Sequence, residues 1–217
     1  MALDASMLRT RHSQADYLYI LYLLSQYNHL GRYKLARELN LSNAKTRTIL
    51  NKLVKADLIE KSSKRYGHQL SSHGKEVWMK CQQYLVIPSK RIYLGPSYTI
   101  GKKDAAVIIE GVGIERLNTV VLRDEALISG ATGCTIFLRE PNNQYFLLDV
   151  TYPPLPKNPL SDKKVVRKLN RILTGTSWSK ILIIVGTANT VINALFGAIS
   201  AALLLVPGEI KDILQEI

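Results

Sequence analysis

The strongest constraint on the fold is an uncharged stretch near the C-terminus. Residues 181–208 read ILIIVGTANTVINALFGAISAALLLVPG and must be buried, either in a bilayer or in a protein core. In a bilayer, Asn189, Thr190 and Asn193 would lie in hydrocarbon without partners. The pattern therefore favours a buried strand over 181–187, a turn, and a buried helix over 189–205. A membrane anchor through residues 181–206 is the alternative.

The charge of the chain favours a polyanionic partner. The net charge is +12 and the sequence pI is near 9.7. Residues 1–87 contain 14 basic and 6 acidic residues, a net +8, so the excess is concentrated in the first part of the chain. Nucleic acid is the first candidate for such a partner, and an acidic membrane surface is the second.

The sequence shows no recognisable catalytic or metal-binding pattern. Cys81 and Cys134 are far apart, and the four histidines do not cluster with acids at ligand spacing. No nucleophile–base pair or paired carboxylates stand out. The N-terminus lacks the apolar segment of a signal peptide. We therefore expect a cytoplasmic protein that is not an enzyme and holds no cofactor or metal.

The first part of the chain predicts a succession of short elements. Helical spacing covers residues 13–27 and 32–39, and Ser42 is a natural N-cap for a further helix. Two short strands, 58–60 and 68–70, flank the basic turn SSKRYG, and a helix over 73–86 ends before Pro88.

This order resembles the winged helix-turn-helix of bacterial and archaeal MarR-like or ArsR-like regulators. The stretch GRYKLARELNLSNAKTRTILNKLVKADLIEKSSKRYGHQLSSHGKEV carries the resemblance, with Ala36 at the helix–helix approach and Leu41 after the turn. The resemblance implies a DNA-binding domain of residues 1–87, whose second helix enters the major groove of double-stranded DNA. The residues expected to contact DNA are Asn43, Lys45, Arg47, Thr48, Asn51, Lys52, Lys61, Lys64, Arg65 and Tyr66.

The residue types in this stretch suit that role. Residues 43–68 contain seven basic and two acidic residues, a local net charge of +5. Arginine and lysine donate to guanine or to phosphate, and asparagine pairs with adenine. An ordinary basic surface on a protein-interaction domain is the alternative. Such regulators dimerise, and the first helix has apolar residues on more than one face, which serve either a partner or the domain core.

The second part predicts a separate α+β domain. Two prolines and two glycines in residues 88–103 mark a linker, and residues 104–217 follow with the order β-α-β-β-α-β-α, which predicts a ferredoxin-like sandwich. The stretch GIERLNTVVLRDEALISGATGCTIFL resembles an uncharacterised α+β domain found behind winged helices in archaeal proteins. That resemblance implies a regulator and no particular chemistry.

Two groups of residues are candidates for a ligand site in this domain. Asp124 shares a predicted helix face with apolar residues, and Arg116 and Arg123 flank it; an internal ion pair and a ligand role are both open. The second group lies at strand-to-helix junctions. Its residues either bind an anion at a helix N-terminus or cap the helix and form buried hydrogen bonds, and both roles are open. These junction residues are Gly111, Gly113, Thr187, Asn189 and Asn193.

Together these patterns predict a sequence-specific DNA-binding transcriptional regulator that acts as a homodimer. Its C-terminal domain either senses a small-molecule effector or extends the dimer. A winged helix fused to a small-molecule enzyme, and a membrane-anchored regulator, are the competing hypotheses.

Overall fold

The computed structural model of the protein describes residues 14–63, 67–88, 91–110, 117–148, 158–173 and 180–217. The chain forms two compact units. The described residues up to Gln83, together with Val206–Ile217, form the N-terminal unit, and Tyr84–Leu205 form the C-terminal unit. The C-terminal segment therefore lies outside the unit to which the predicted 104–217 boundary assigned it.

The N-terminal unit has five helices and a two-stranded hairpin in its described residues. They are α1 (Gln14–Gln26), α2 (Arg32–Leu39), α3 (Asn43–Lys55), β1 (Ile59–Ser63), β2 (Gly67–Leu70), α4 (Ser72–Gln82) and α8 (Gly208–Gln215). The helix α8 packs on α1 and α4 and buries Ile210 and Leu214, which lie one helical turn apart. This helix was not predicted from the sequence.

The burial of α1 shows whether its apolar faces serve a partner or the core of its own domain. Tyr17, Tyr19 and Leu23 are all buried, since α3, α4, α8 and β2 surround the helix. The faces of α1 therefore serve the core of the N-terminal unit.

The hairpin is fixed to the segment before α2 by a close backbone contact. Leu30 and His68 exchange two backbone hydrogen bonds of 3.0 and 2.9 Å. Gly67 adopts a positive φ of 89°, and a Cβ there would lie 2.4 Å from the carbonyl oxygen of Leu30. Only glycine allows both this conformation and this approach, so Gly67 determines where the hairpin lies relative to α2.

The C-terminal unit is an antiparallel sheet with helices on both faces. Its elements are β3 (Leu85–Val86), β4 (Lys103–Glu110), α5 (Thr119–Ile128), β5 (Gly133–Arg139), β6 (Tyr145–Leu147), α6 (Lys163–Ile172), β7 (Ile181–Ala188) and α7 (Val191–Leu203). The five described strands lie in the order β3-β4-β7-β5-β6. The order along the chain from β4 to α7 is therefore the predicted β-α-β-β-α-β-α, within an α+β fold.

The ferredoxin-like arrangement is wrong, because the last strand occupies the centre of the sheet. β7 pairs with both β4 and β5, so it lies between the first two long strands. Every residue of β7 is buried: Ile181, Ile183 and Val185 share a core with α6, while α7 packs on the opposite face. A Cβ on Gly186 would lie 2.0 Å from the carbonyl oxygen of Ala194, which shows how closely α7 approaches the strand.

The uncharged stretch is thus a central strand followed by a covering helix. The helix α7 is 13 residues long. Among the described residues, no helix is long and apolar enough to cross a membrane.

The predicted linker is partly a wall of the C-terminal unit. Ile92 and Leu94 belong to the core between the sheet and α6. Ile92 forms a β-bridge with Asp104, whose carboxylate accepts hydrogen bonds from the backbone of Leu94 and the hydroxyl of Thr99. These anchors make residues 91–94 an ordered part of the unit.

Candidate nucleic-acid interface

The polar face of α3 is exposed, as its sequence predicts. Thr46, Ile49, Leu50 and Leu53 are buried and fix the helix against the unit. The opposite side exposes the residues Asn43, Lys45, Arg47, Thr48 and Asn51, which we call the α3 face. It contains two cations, two amides and a hydroxyl, and no carboxylate. Among the described residues, none forms an ion pair with Arg47.

The turn before α3 holds the first residues of that face in place. Asn40 adopts a left-handed conformation with φ of 51°, and the N–H of Leu41 bonds to the carbonyl of Ala36 at 2.9 Å. The hydroxyl of Ser42 then accepts a hydrogen bond from the backbone of Lys45 at 3.2 Å. The cap ends the turn and starts α3. The N-terminus of α3, which carries partial positive charge, therefore lies next to the first residues of the α3 face.

The hairpin adds further positive charge to this unit. Lys61 is exposed on β1 and pairs across the hairpin with His68 on β2. Burial, with the positive charges of Lys61 and Arg32, lowers the pKa of His68. The surroundings of His68 therefore favour the neutral imidazole over the imidazolium cation. The predicted hairpin-tip contacts Lys64, Arg65 and Tyr66 lie outside the described residues.

Lys52 does not belong to the free surface on which the sequence placed it. It is half-buried, its ammonium donates to the hydroxyl of Tyr17 at 3.3 Å, and the same ammonium lies 5.9 Å from the centre of the Tyr17 ring. These contacts join α3 to α1. Lys52 therefore stabilises the orientation of α3 and is less exposed than the residues of the α3 face.

The face of α5 that Asp124 shares with apolar residues is exposed and does not form a buried ligand site. Asp124 is exposed, and so are Val120 and Val121, whereas the buried side of α5 consists of Thr119, Leu122 and Ala126. Arg123 donates to the carbonyl oxygens of Cys134 and Leu148 at 3.2 and 2.9 Å. Arg123 therefore ties α5 to the sheet rather than pairing with Asp124. Arg116 lies outside the described residues.

The junction residues also have structural roles. Thr187 is buried, and its hydroxyl accepts a hydrogen bond from the backbone of Gly101 at 2.8 Å. The backbone of Asn193 donates to the hydroxyl of Thr190, which caps α7, while Asn189 is exposed just before it. The capping alternative accounts for Thr187 and for the backbone of Asn193. Gly111 and Gly113 lie outside the described residues.

Comparison with known proteins divides the chain in the same way as its structure. Residues 14–76 match the family "PH0730-like, N-terminal domain", and residues 100–205 match "Domain of unknown function (DUF4443)". A solved structure, the hypothetical protein PH0730 from Pyrococcus horikoshii OT3, is 25% identical with a TM-score of 0.71. That comparison covers 95% of this chain and 100% of PH0730. The chain is therefore similar to PH0730 across both units.

Other comparisons add little. HmgR from Pseudomonas aeruginosa is 9% identical, and the comparison covers 88% of this chain and 96% of HmgR. The TM-score of 0.28 is too low to indicate a shared fold. Comparison with curated proteins gives no match.

The C-terminal unit contains a cationic hollow that the sequence analysis missed. A cavity of about 510 Å³ is lined by Arg91, Ile92, Tyr93, Lys102, Lys103, Asp104, Lys168, Arg171 and Val191. We call it the basic cavity. Its cations come from three separate segments, so no single run of residues reveals it. The Lys102-Lys103 pair was the available signal in the sequence.

Proposed function

We propose that the protein is a transcriptional regulator that binds specific sequences in double-stranded DNA through a winged helix-turn-helix. In this proposal the N-terminal unit is that domain, α3 enters the major groove, and the hairpin is the wing. The C-terminal unit binds a small-molecule effector. The proposal assigns no catalytic role to either unit.

The observation that carries the proposal is the composition of the exposed α3 face. A major-groove helix needs donors for guanine and phosphate and bidentate amides for adenine, without carboxylates that repel the backbone. Arg47, Asn43 and Asn51 supply those groups on an exposed surface. The neighbouring hairpin supplies Lys61 for phosphate contacts, which position a protein without reading sequence.

Homodimer formation belongs to the same proposal, because two copies of α3 would match two half-sites. Since α1 is buried within its own unit, another surface must supply the contact. The exposed aliphatic side chains of α5 are the best candidate. They are Val120, Val121, Leu127 and Ile128.

The dimer contact can be tested by sedimentation of three proteins. Ile128 is 67% exposed, so Ile128→Lys leaves the monomer fold intact but places a charge in the proposed contact. We expect wild type to sediment as a dimer and Ile128→Lys as a monomer. Met79→Lys, at an exposed position on α4, is the matched control. Dissociation by Met79→Lys alone would contradict the α5 contact.

The DNA-binding proposal can be tested by titrating labelled genomic fragments, including the protein's own promoter. We expect saturable binding to a few fragments and a loss of about tenfold or more with Arg47→Ala, the scale of one bidentate base contact. Lys80→Ala removes the same charge from an exposed position on α4 and serves as the control.

Two results would contradict this reading. Equal, steeply salt-dependent binding to every fragment would indicate a nonspecific nucleic-acid protein. Equal losses with Arg47→Ala and Lys80→Ala would show that total charge, and not the α3 face, determines binding.

A further inference from the structure

We propose that the basic cavity of the C-terminal unit binds a phosphorylated small molecule with a planar ring, of the nucleotide class. The proposal names a ligand class for the effector function proposed above. Its regulatory meaning rests on that function, but binding is testable without DNA. The site differs from the residues that the sequence suggested, of which none lines this cavity.

The cavity wall is built so that its polar side chains point outward from an anchored backbone. Exposed and buried side chains alternate along residues 91–94, as they do along a strand with one buried face. Ile92 and Leu94 are 5% exposed and enter the core, while Arg91 and Tyr93 are exposed. The anchored residues give Arg91 and Tyr93 a fixed base.

Five cations converge on this hollow. Arg91 comes from the wall, Lys103 is the first residue of β4 and Lys102 directly precedes it, and Lys168 and Arg171 come from one side of α6. Asp104 is the single lining carboxylate, and its Oδ2 accepts hydrogen bonds from Leu94 and Thr99 at 2.8 and 3.0 Å. Because that carboxylate is 2% exposed and holds the wall, the accessible charge is overwhelmingly positive. An anion would relieve the repulsion among these cations.

A helix end adds to the same potential. Val191 is the first residue of α7 and lines the cavity. The N-terminus of a helix carries partial positive charge and unpaired N–H groups, which suit phosphate. The cations and the helix end therefore favour the same kind of ligand.

Tyr93 extends the ligand class beyond a simple anion. Its ring is 53% exposed at the cavity, and the ammonium of Lys168 lies 5.7 Å from the ring centre. An exposed ring beside cations offers stacking for a heterocycle next to donors for its phosphates. The volume of the cavity lies within the range of about 300–1,000 Å³ of small-molecule pockets, which favours a nucleotide over a continuous nucleic-acid backbone.

The test is calorimetric titration of the full chain with ATP and, separately, with inorganic tripolyphosphate. We expect both to bind, and the double variant Lys102→Gln, Lys103→Gln to weaken both by about tenfold or more through lost charge-assisted hydrogen bonds. The double variant Lys163→Gln, Lys164→Gln removes another exposed adjacent lysine pair, outside the cavity. We expect it to change binding less than about threefold, because neither side chain lines the cavity and exposed charges that make no direct contact contribute little.

The aromatic part has its own pair of variants. Tyr93→Ala is expected to weaken ATP by several-fold and to leave tripolyphosphate unchanged, whereas Tyr93→Phe retains the ring and the affinity. Equal losses for ATP and tripolyphosphate with Tyr93→Ala would overturn the planar-ring requirement.

Three outcomes overturn the site itself. They are no binding of either probe by the wild type, equal losses with the two lysine double variants, and loss of ATP binding with Arg47→Ala. The last variant removes a residue of the α3 face, so it also separates this inference from the DNA-binding proposal. Failure of DNA binding with ATP binding intact would leave the cavity assignment standing.

Discussion

The α3 face and the basic cavity carry charge of the same sign on surfaces of different shape. The α3 face projects from one side of a helix and intersperses cations with amides. The basic cavity is concave, and its lining combines five cations with an exposed tyrosine ring. A projecting helix fits a groove, whereas a hollow encloses a small molecule. Charge alone predicts an anionic partner in both cases, and shape distinguishes the two partners.

The largest expected effect of this difference is in the dependence on salt. Raising monovalent salt from about 50 mM to about 200 mM is expected to weaken DNA binding roughly a thousandfold, because several phosphate contacts release counterions. ATP binding in the cavity should weaken far less, since it displaces few ions. Parallel titrations at both salt concentrations measure the two slopes. Equal slopes would remove the proposed distinction between the surfaces.

Two variants on the N-terminal unit are expected to separate base reading from phosphate contact. Asn51→Ala should cost about 1–3 kcal/mol on the best DNA site and relax the preference at one base pair. Lys61→Ala should weaken all sequences alike and reduce the salt slope by about 1. Binding to a library of site variants measures both effects. A uniform loss from Asn51→Ala would show that this amide does not read a base.

An effect of similar size, on stability instead of DNA binding, is expected from Gly67, which positions the hairpin. Gly67→Ala should lower the free energy of unfolding by about 1–3 kcal/mol, because the new Cβ meets the Leu30 carbonyl at a positive φ. Gly31→Ala is the matched control, since nothing lies within 4 Å of a Cβ there and its φ is negative. Denaturation followed by Trp78 fluorescence, in a Trp178→Phe background, measures the N-terminal unit.

The smallest expected effect is a pH dependence from His68. Because its pKa is lowered in the folded unit, the unfolded chain binds more protons just below pH 6.5. This residue therefore reduces stability as pH falls through 6.5 toward the lowered value. Denaturation at about pH 7.5 and about pH 5.5 should show a smaller difference for His68→Gln than for wild type. An unchanged difference would contradict a role for His68.

The contrast between α3 and α5 shows what the sequence could predict. The bounds and the buried side of α3 follow from local signals: a serine cap, a tight turn and apolar residues at helical spacing. The same reasoning grouped several apolar residues on one face of α5, but four of them are exposed: Val120, Val121, Leu127 and Ile128. The buried side is the one that packs on α7, where a Cβ on Gly197 would lie 3.4 Å from the Cβ of Ala126. The small side chains at Gly197 and Ala126 allow that close contact, which a pattern within α5 alone does not reveal.

The pairing of strands that are distant in the chain also could not be predicted from local sequence patterns. The strand β7 was recognisable from its β-branched run, but its place between β4 and β5 depends on partners distant in the chain. The basic cavity also depends on contacts between distant parts of the chain, because its lining comes from residues 91–93, residues 102–104 and α6. In contrast, the α3 face comes from one helix, and its sequence was sufficient to predict its exposure.

The position of α8 has a consequence for how the protein is made. Most of the N-terminal unit is translated before the C-terminal unit, yet Ile210 and Leu214 of its core are translated after it. The apolar surfaces of α1 and α4 that α8 covers therefore remain exposed until the C-terminal unit has been translated. A fragment that ends before Val206 would leave them uncovered, so studies of the N-terminal unit need α8 supplied in the same chain or as a peptide.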